Sequence, residues 1–262
     1  MTAAPAESTL SVEGLEVRFG GLVALSDATF EVREGEVVSL IGPNGAGKTT
    51  AFNAITGFLR PSAGRIAYRG RNLTGLRPND IAEQGVVRTF QKTSVFDGNT
   101  VFENVMIGLH RRGERRAWEI LLGLPRVRQE EADLRDQVGE ILAFIGLDGR
   151  ADESGGALPY GEQRLLEVAV ALAAKPDLLL LDEPVSGMNP VETESFMRIV
   201  GRIRERGITI LLVEHDMRMV MGVSDRVVVL NQGSIIAEGS PEDIQRDPEV
   251  IRAYLGERAS RA

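Results

Sequence analysis

Cysteine is absent from the chain and histidine occurs only twice. The first absence excludes disulfides and thiolate metal centres, and the second leaves too few imidazoles for a histidine-rich one. Long apolar runs are missing too: none approaches the roughly 20 residues that a helix needs to cross a bilayer. The opening 1-MTAAPAEST-9 has no basic stretch followed by an apolar one, so no targeting leader is expected. Basic residues are outnumbered, 30 against 38, and the net charge of -8 argues against wholesale nucleic-acid binding. What remains is globular: 43% hydrophobic and 26% charged residues in 262 is composition that can bury a full core.

Hydrophobic patterning then sorts the chain. Residues 10 to 40 read as strands around turn signals, ending in the buried 37-VVSLIG-42. Helical spacing follows over 48 to 59, with Ala51, Phe52, Ile55 and Phe58 on one face, and 60-RPSAG-64 stops it. From about 80 to 157 the text is mostly helical and more polar, which predicts a helical subdomain, about 92–165, inserted into the core. Beyond it come a helix at 165–174, a buried strand at 178-LLLL-181, a helix at 192–206 and a strand at 208-ITILLV-213. A hairpin about Gln232-Gly233 and a closing helical segment at 241–256 complete the chain. Strands alternating with helices imply an α/β fold with a parallel sheet covered on both faces.

The segment 42-GPNGAGKTT-50 fits G-x-x-x-x-G-K-[ST] between a strand and a helix, the context this phosphate-binding motif requires. Its glycines let the backbone curl around an anion, so Gly42, Pro43, Asn44, Gly45, Ala46, Gly47, Lys48, Thr49 and Thr50 are expected to hold a nucleotide. Lys48 would reach the terminal phosphates, and the Thr49 hydroxyl would ligate Mg²⁺. A bare glycine turn would not need the Lys-Thr pair. Four aliphatic residues deliver Asp182 to the end of a strand, where it would hold Mg²⁺ through water, while Glu183 is placed as general base for the attacking water. Taken alone, that pair would be read as acids capping a helix; next to a phosphate loop the catalytic reading is the stronger.

Three isolated residues fall where such a site would use them. Gln91 is placed to add a Mg²⁺ ligand and sense the γ-phosphate. His215 is placed to bond the γ-phosphate or to orient Glu183, and Phe19 to stack on a base.

In this order, the phosphate loop, Gln91, 158-LPYGEQR-164, 178-LLLLDEP-184, 186-SGMNP-190 and His215 resemble the ATP-binding subunit of an ATP-binding cassette (ABC) transporter. The resemblance covers about residues 10–256, which it implies form a single ABC ATPase domain between tails at 1–9 and 257–262. It implies a P-loop RecA-like core with an N-terminal antiparallel β subdomain and the inserted helical subdomain, with ATP and Mg²⁺ as cofactors. It also implies that Pro159, Tyr160, Gly161 and Glu162 meet the ATP held by a second such ATPase, as a hetero- or homodimer. The usual L-S-G-G-Q departs here to L-P-Y-G-E, Asn189 stands where many relatives carry Asp, and Phe19 replaces the commoner Tyr.

Those departures, with 213-VEHDMRMVMGVSDRVVVLNQG-233 and 250-VIRAYLGE-257, are similar to the longer ATPase of branched-chain amino acid importers. Such importers imply two integral membrane permeases, a solute-binding protein met indirectly, no nucleic acid, and a peripheral place on the cytoplasmic face of the membrane. A lipopolysaccharide exporter, a urea or amide importer or a soluble ABC ATPase are the alternatives. Finally, 111-RRGERRAWEILLGLPRVR-128 is arginine-rich with apolar residues between, and reads either as a solvated hairpin or as one facing anionic lipid.

Overall fold

The computed structural model describes residues 8–89, 95–110 and 125–260. Gln91 and residues 111–124 of the arginine-rich stretch lie outside them. The chain forms two compact units: residues 1–88, 177–186 and 193–262 make the first, and 89–176 with 187–192 the second.

The first unit carries two sheets. In the smaller, order β2-β1-β4-β5, the long strands β1 (Ser8–Phe19) and β2 (Leu22–Arg33) pair antiparallel, with β4 (Ala63–Tyr68) on the other side of β1 and β5 (Arg71–Asn72) at the edge. The larger, order β10-β9-β3-β8-β7-β6, is parallel except for the terminal hairpin of β9 (Arg226–Asn231) and β10 (Ser234–Gly239). Its central strands β3 (Val37–Ile41), β7 (Leu178–Asp182) and β8 (Thr209–Val213) are buried at every residue, as the unbroken aliphatic runs require. Leu40, Leu180, Leu211 and Val228 pack with Phe52 and Ile55 of α1 (Lys48–Ile55) in the main core. Burying each such side chain contributes about 1.5–3 kcal/mol.

Register decides where the chemistry goes. Leu40 and Asp182 both pair with Val213, so β3, β7 and β8 end level. The phosphate loop, Glu183 and His215 therefore leave the sheet along one edge.

Several elements differ from the patterning. Helix α1 stops at Ile55 because Gly57 turns the chain at φ +76°, so Phe58 lies beyond the helix and is half exposed. The segment after it is not featureless: it forms β4, β5, α2 (Pro78–Glu83) and β6 (Val86–Arg88). Strand β6 is only 3 residues long, too short to show a period.

The second unit is helical: α3 (Val101–His110), α4 (Pro125–Ile145) and α5 (Tyr160–Ala173). Helices α3 and α5 touch closely at Gly108, where an added Cβ would lie 2.5 Å from the Val170 carbonyl oxygen. Buried Asn104 fastens the loop before α3, accepting from the Phe96 amide at 2.7 Å and donating to the Thr100 carbonyl at 2.9 Å. The α5 helix begins at Tyr160 rather than near 165, so most of 158-LPYGEQR-164 is helical, with Pro159 at the N-cap.

Candidate functional site

The loop between β3 and α1 has a shape only its glycines permit. Gly42 sits at φ +153°, and a Cβ there would lie 2.0 Å from the Leu230 carbonyl oxygen; Gly47, at φ +107°, would press one within 2.7 Å of the Ala24 carbonyl. The terminal hairpin braces the loop, for the Gly233 amide donates to the Ala46 carbonyl at 2.9 Å. First-turn amides of a helix have no intrahelical acceptor, and here that turn, from Lys48 onward, closes the loop. Lys48 is folded back and buried, its Nζ donating to the carbonyls of Gly42 (2.6 Å) and Pro43 (3.0 Å). Thr49 is exposed.

Beside the loop opens a cavity of about 540 Å³, lined by Asn44, Gly45, Ala46, Gly47, Lys48, Thr49 and Thr50, by Phe19, Leu22, Val23 and Ala24, and by Glu183 and Gln232. Phe19 and Leu22 are register partners where β1 meets β2, and both stand open to solvent at 51% and 66%. Exposed apolar surface beside an anion cradle suits a ligand with a flat ring and a phosphate tail. Gly42 and Pro43 are both buried and are not part of the lining.

Asp182 ends β7 almost fully buried, and its Oδ2 accepts from Arg88 Nη2 at 2.6 Å. Among the described residues its Oδ1 has no hydrogen-bond partner. A buried bare acceptor is costly; Thr49 lines the cavity together with Glu183, the residue after Asp182, and a hydroxyl with a carboxylate oxygen is a donor set that fits a hydrated Mg²⁺ beside phosphates. No group of three or more His, Asp or Glu among the described residues forms a metal cage, so such an ion would depend on the nucleotide's own oxygens. Glu183 follows at φ +46°, a left-handed conformation that costs a non-glycine residue about 1–3 kcal/mol. Its amide donates to the Val213 carbonyl at 2.8 Å, and the residue lines the cavity. His215 is exposed, with Nδ1 3.4 Å from Glu214 Oε2; that carboxylate, rather than Glu183, is its described polar neighbour.

Two residues of this site escaped sequence reasoning. Glu214 is fully buried, and its carboxylate accepts three backbone amides: Val185 at 3.2 Å, His215 at 2.6 Å and Asp216 at 3.0 Å. It ties the turn after β7 to the turn after β8. The available signal was an acid directly after a fully apolar strand. Arg88 is the other, and only the pairing of β6 with β7 reveals it.

In the second unit, Pro159 begins α5 with its carbonyl accepting the amides of Glu162 (2.9 Å) and Gln163 (3.0 Å). Gly161 is buried where a Cβ would lie 3.0 Å from the Glu192 carboxyl carbon. The Tyr160 phenol oxygen accepts from Arg164 Nη2 at 2.6 Å and Nε at 3.1 Å, which holds the exposed ring. Glu162 lies 2.8 Å from Arg150 Nε, close enough for an ion pair but not aligned for a hydrogen bond. Asn189 caps α6 (Pro190–Glu205): its Oδ1 accepts from the amides of Val191 (2.9 Å) and Glu192 (3.1 Å), and Glu192 returns the bond to the Asn189 amide at 2.9 Å. Asn serves a cap as well as Asp does.

Comparison with known proteins shows the family. The ABC transporter family profile matches residues 25–186, and a branched-chain amino acid ATP-binding cassette transporter profile matches 234–260. The high-affinity branched-chain amino acid transport ATP-binding protein LivG of Salmonella typhimurium (strain LT2) is 47% identical, covering 95% of this chain and 98% of that protein. BraF of Pseudomonas aeruginosa, described in the same words, is 44% identical over 95% of this chain and 98% of its own. The ADP conformation of MJ1267, an ATP-binding cassette of an ABC transporter, superposes with a TM-score of 0.84 at 32% identity, covering 96% of this chain and 100% of that one. The chain belongs to the ABC transporter family, as one of its ATP-binding, ATP-hydrolysing cassettes.

Proposed function

We propose that this ATPase energises import of branched-chain or related hydrophobic amino acids, working on the cytoplasmic face of the membrane with a second ABC ATPase, two integral permeases and, indirectly, a solute-binding protein. The observation that carries the reading is local: the phosphate loop, Asp182, Glu183 and His215 emerge from strands that end level, beside a cavity with an apolar shelf. The chain's similarity to branched-chain amino acid transport ATPases over nearly its whole length, and the profile match at 234–260, support the choice of solute class. No described helix is long and apolar enough to cross a membrane, so the permeases would supply the path.

In this mechanism the base stacks on Phe19 while the loop from Gly42 to Thr50 wraps the phosphates. Lys48 leaves the carbonyls of Gly42 and Pro43 and pairs with phosphate oxygens, a stronger partner for an ammonium. Thr49, Gln91 and, through water, Asp182 would hold Mg²⁺. Bound there, the ion would offset charge developing on the transferred phosphoryl group. Glu183 takes the proton of the attacking water, and His215 bonds the terminal phosphate. Pro159, Tyr160, Gly161 and Glu162 contact the ATP held by the second ATPase, with first-turn amides and the helix dipole facing phosphate. Closure on ATP and opening after hydrolysis would drive the permeases by differential affinity for the two states.

The test is purification of the tagged chain from gently solubilised native membranes with its companions identified by mass spectrometry. Two polytopic permeases and a second ATPase are expected. A wholly soluble chain with none of them would overturn the transport role while leaving the ATP site standing.

A further inference from the structure

We infer that Arg88 is the positioning residue of the metal-binding carboxylate: it clamps one oxygen of Asp182 so that the other is presented to the hydrated Mg²⁺. This rests on the reading of the site as one for ATP with Mg²⁺.

Arg88 closes β6, and its register partner on β7 is Leu180, two positions before Asp182. Its guanidinium is held on several sides. Nη2 donates to Asp182 Oδ2 at 2.6 Å, with the two side chains only 9% and 0% exposed. Nη1 donates to Asn53 Oδ1 at 2.7 Å and to Thr56 Oγ1 at 3.3 Å, and the group lies 5.6 Å from the centre of the Phe52 ring. Thr56 spends its own proton on the Phe52 carbonyl at 2.6 Å, so its oxygen is fixed as an acceptor toward Arg88. Phe52 and Asn53 belong to α1, which begins at Lys48 and includes Thr49, and Thr56 is its C-cap. The fork therefore joins the helix of the phosphate loop to the strand end bearing Asp182.

The contacts are lopsided in an informative way. A guanidinium can meet both oxygens of a carboxylate in parallel, yet here Nη2 alone engages Oδ2, while Asp182 Oδ1 and Arg88 Nε are both buried without a hydrogen-bond partner among the described residues. A purely structural ion pair would gain by satisfying both, because a buried acceptor left bare costs about 1–3 kcal/mol. An oxygen kept bare and fixed in direction is what a ligand one shell removed needs, and partners of this kind set metal affinity. A lysine could carry the charge but not the fork, since its ammonium is a single point.

Charge and orientation predict opposite signs. If the positive charge of Arg88 mattered only through repulsion of Mg²⁺, weakening it would tighten metal binding. If Arg88 orients Asp182, the metal binds more loosely. The experiment uses the full chain with ADP bound, Mn²⁺ as the metal probe read by electron paramagnetic resonance, and ADP affinity measured separately without metal by calorimetry. In Arg88→Lys, Mn²⁺ affinity should fall about tenfold, the lower range for an outer-shell partner, while metal-free ADP affinity stays at the wild-type value. Arg88→Met should lose at least as much. Should it fail to fold, Asn53→Ala, which removes one of the two acceptors of Nη1 and leaves the ion pair, should show a smaller loss of the same sign. Wild-type or tighter Mn²⁺ binding by Arg88→Lys would overturn the inference with the ATP site intact. Failure of the wild-type chain to bind ADP would overturn the reading of the site, and this inference with it.

Discussion

The Glu214 carboxylate joins the turn after β7 to the turn after β8: Oε2 accepts the amide of His215 at 2.6 Å, while Oε1 accepts that of Val185, two residues beyond Glu183, at 3.2 Å. Because the side chain is wholly buried, neither oxygen can turn to water instead. Glu183 and His215 are thereby placed relative to one another by a residue that would touch neither substrate nor metal.

Replacing Glu214 by Gln puts an amide N–H₂ against at least one backbone N–H. Loss of stability of about 1–3 kcal/mol is expected, the cost of donors buried unpaired. Chemical denaturation measures it. In the ATPase assay kcat should fall more than KM rises, since the phosphate loop is untouched; an unchanged midpoint and unchanged kcat would remove Glu214 from this role.

Lys48→Ala removes the ammonium that, in the proposed mechanism, would move from loop carbonyls to phosphate. A charge-assisted bond contributes about 1.5–3 kcal/mol, so ATP affinity should drop about 10- to 100-fold by calorimetric titration. Normal affinity would show that the cavity binds ATP in another way.

Phe19→Ala should weaken ATP binding by about 1 kcal/mol or somewhat more, and Phe19→Tyr should leave it alone. Because any base offers a π-face, GTP and ATP should lose equally. A loss confined to ATP would mean that the shelf reads the base edge rather than its face.

The turn between β3 and α1 was legible because its shape demands residues that show in a short window: glycines where a Cβ would strike the Leu230 or Ala24 carbonyls. The parallel strands were legible because burial on both faces demands runs such as Leu178 to Leu181. Strand β6 was not, since 3 residues carry no period. With it went Arg88, whose partner Asp182 lies 94 residues away and is reached only through sheet register. Phe58 misled because spacing continues past Ile55 while the backbone turns at Gly57. Asn189 stands where the resemblance expects Asp in many relatives, and its Oδ1 caps α6, a role that the α6 hydrogen bonds show and composition cannot.

The most direct measurement is phosphate release by the assembled transporter carrying Glu183→Gln in this chain, together with ATP retained on it after gel filtration. Gln keeps the shape and leaves Asp182 and Thr49 in place, but it cannot take a proton from water. ATP should stay bound at this site while turnover there is abolished. Wild-type turnover by that variant would contradict the account of Glu183 as the base.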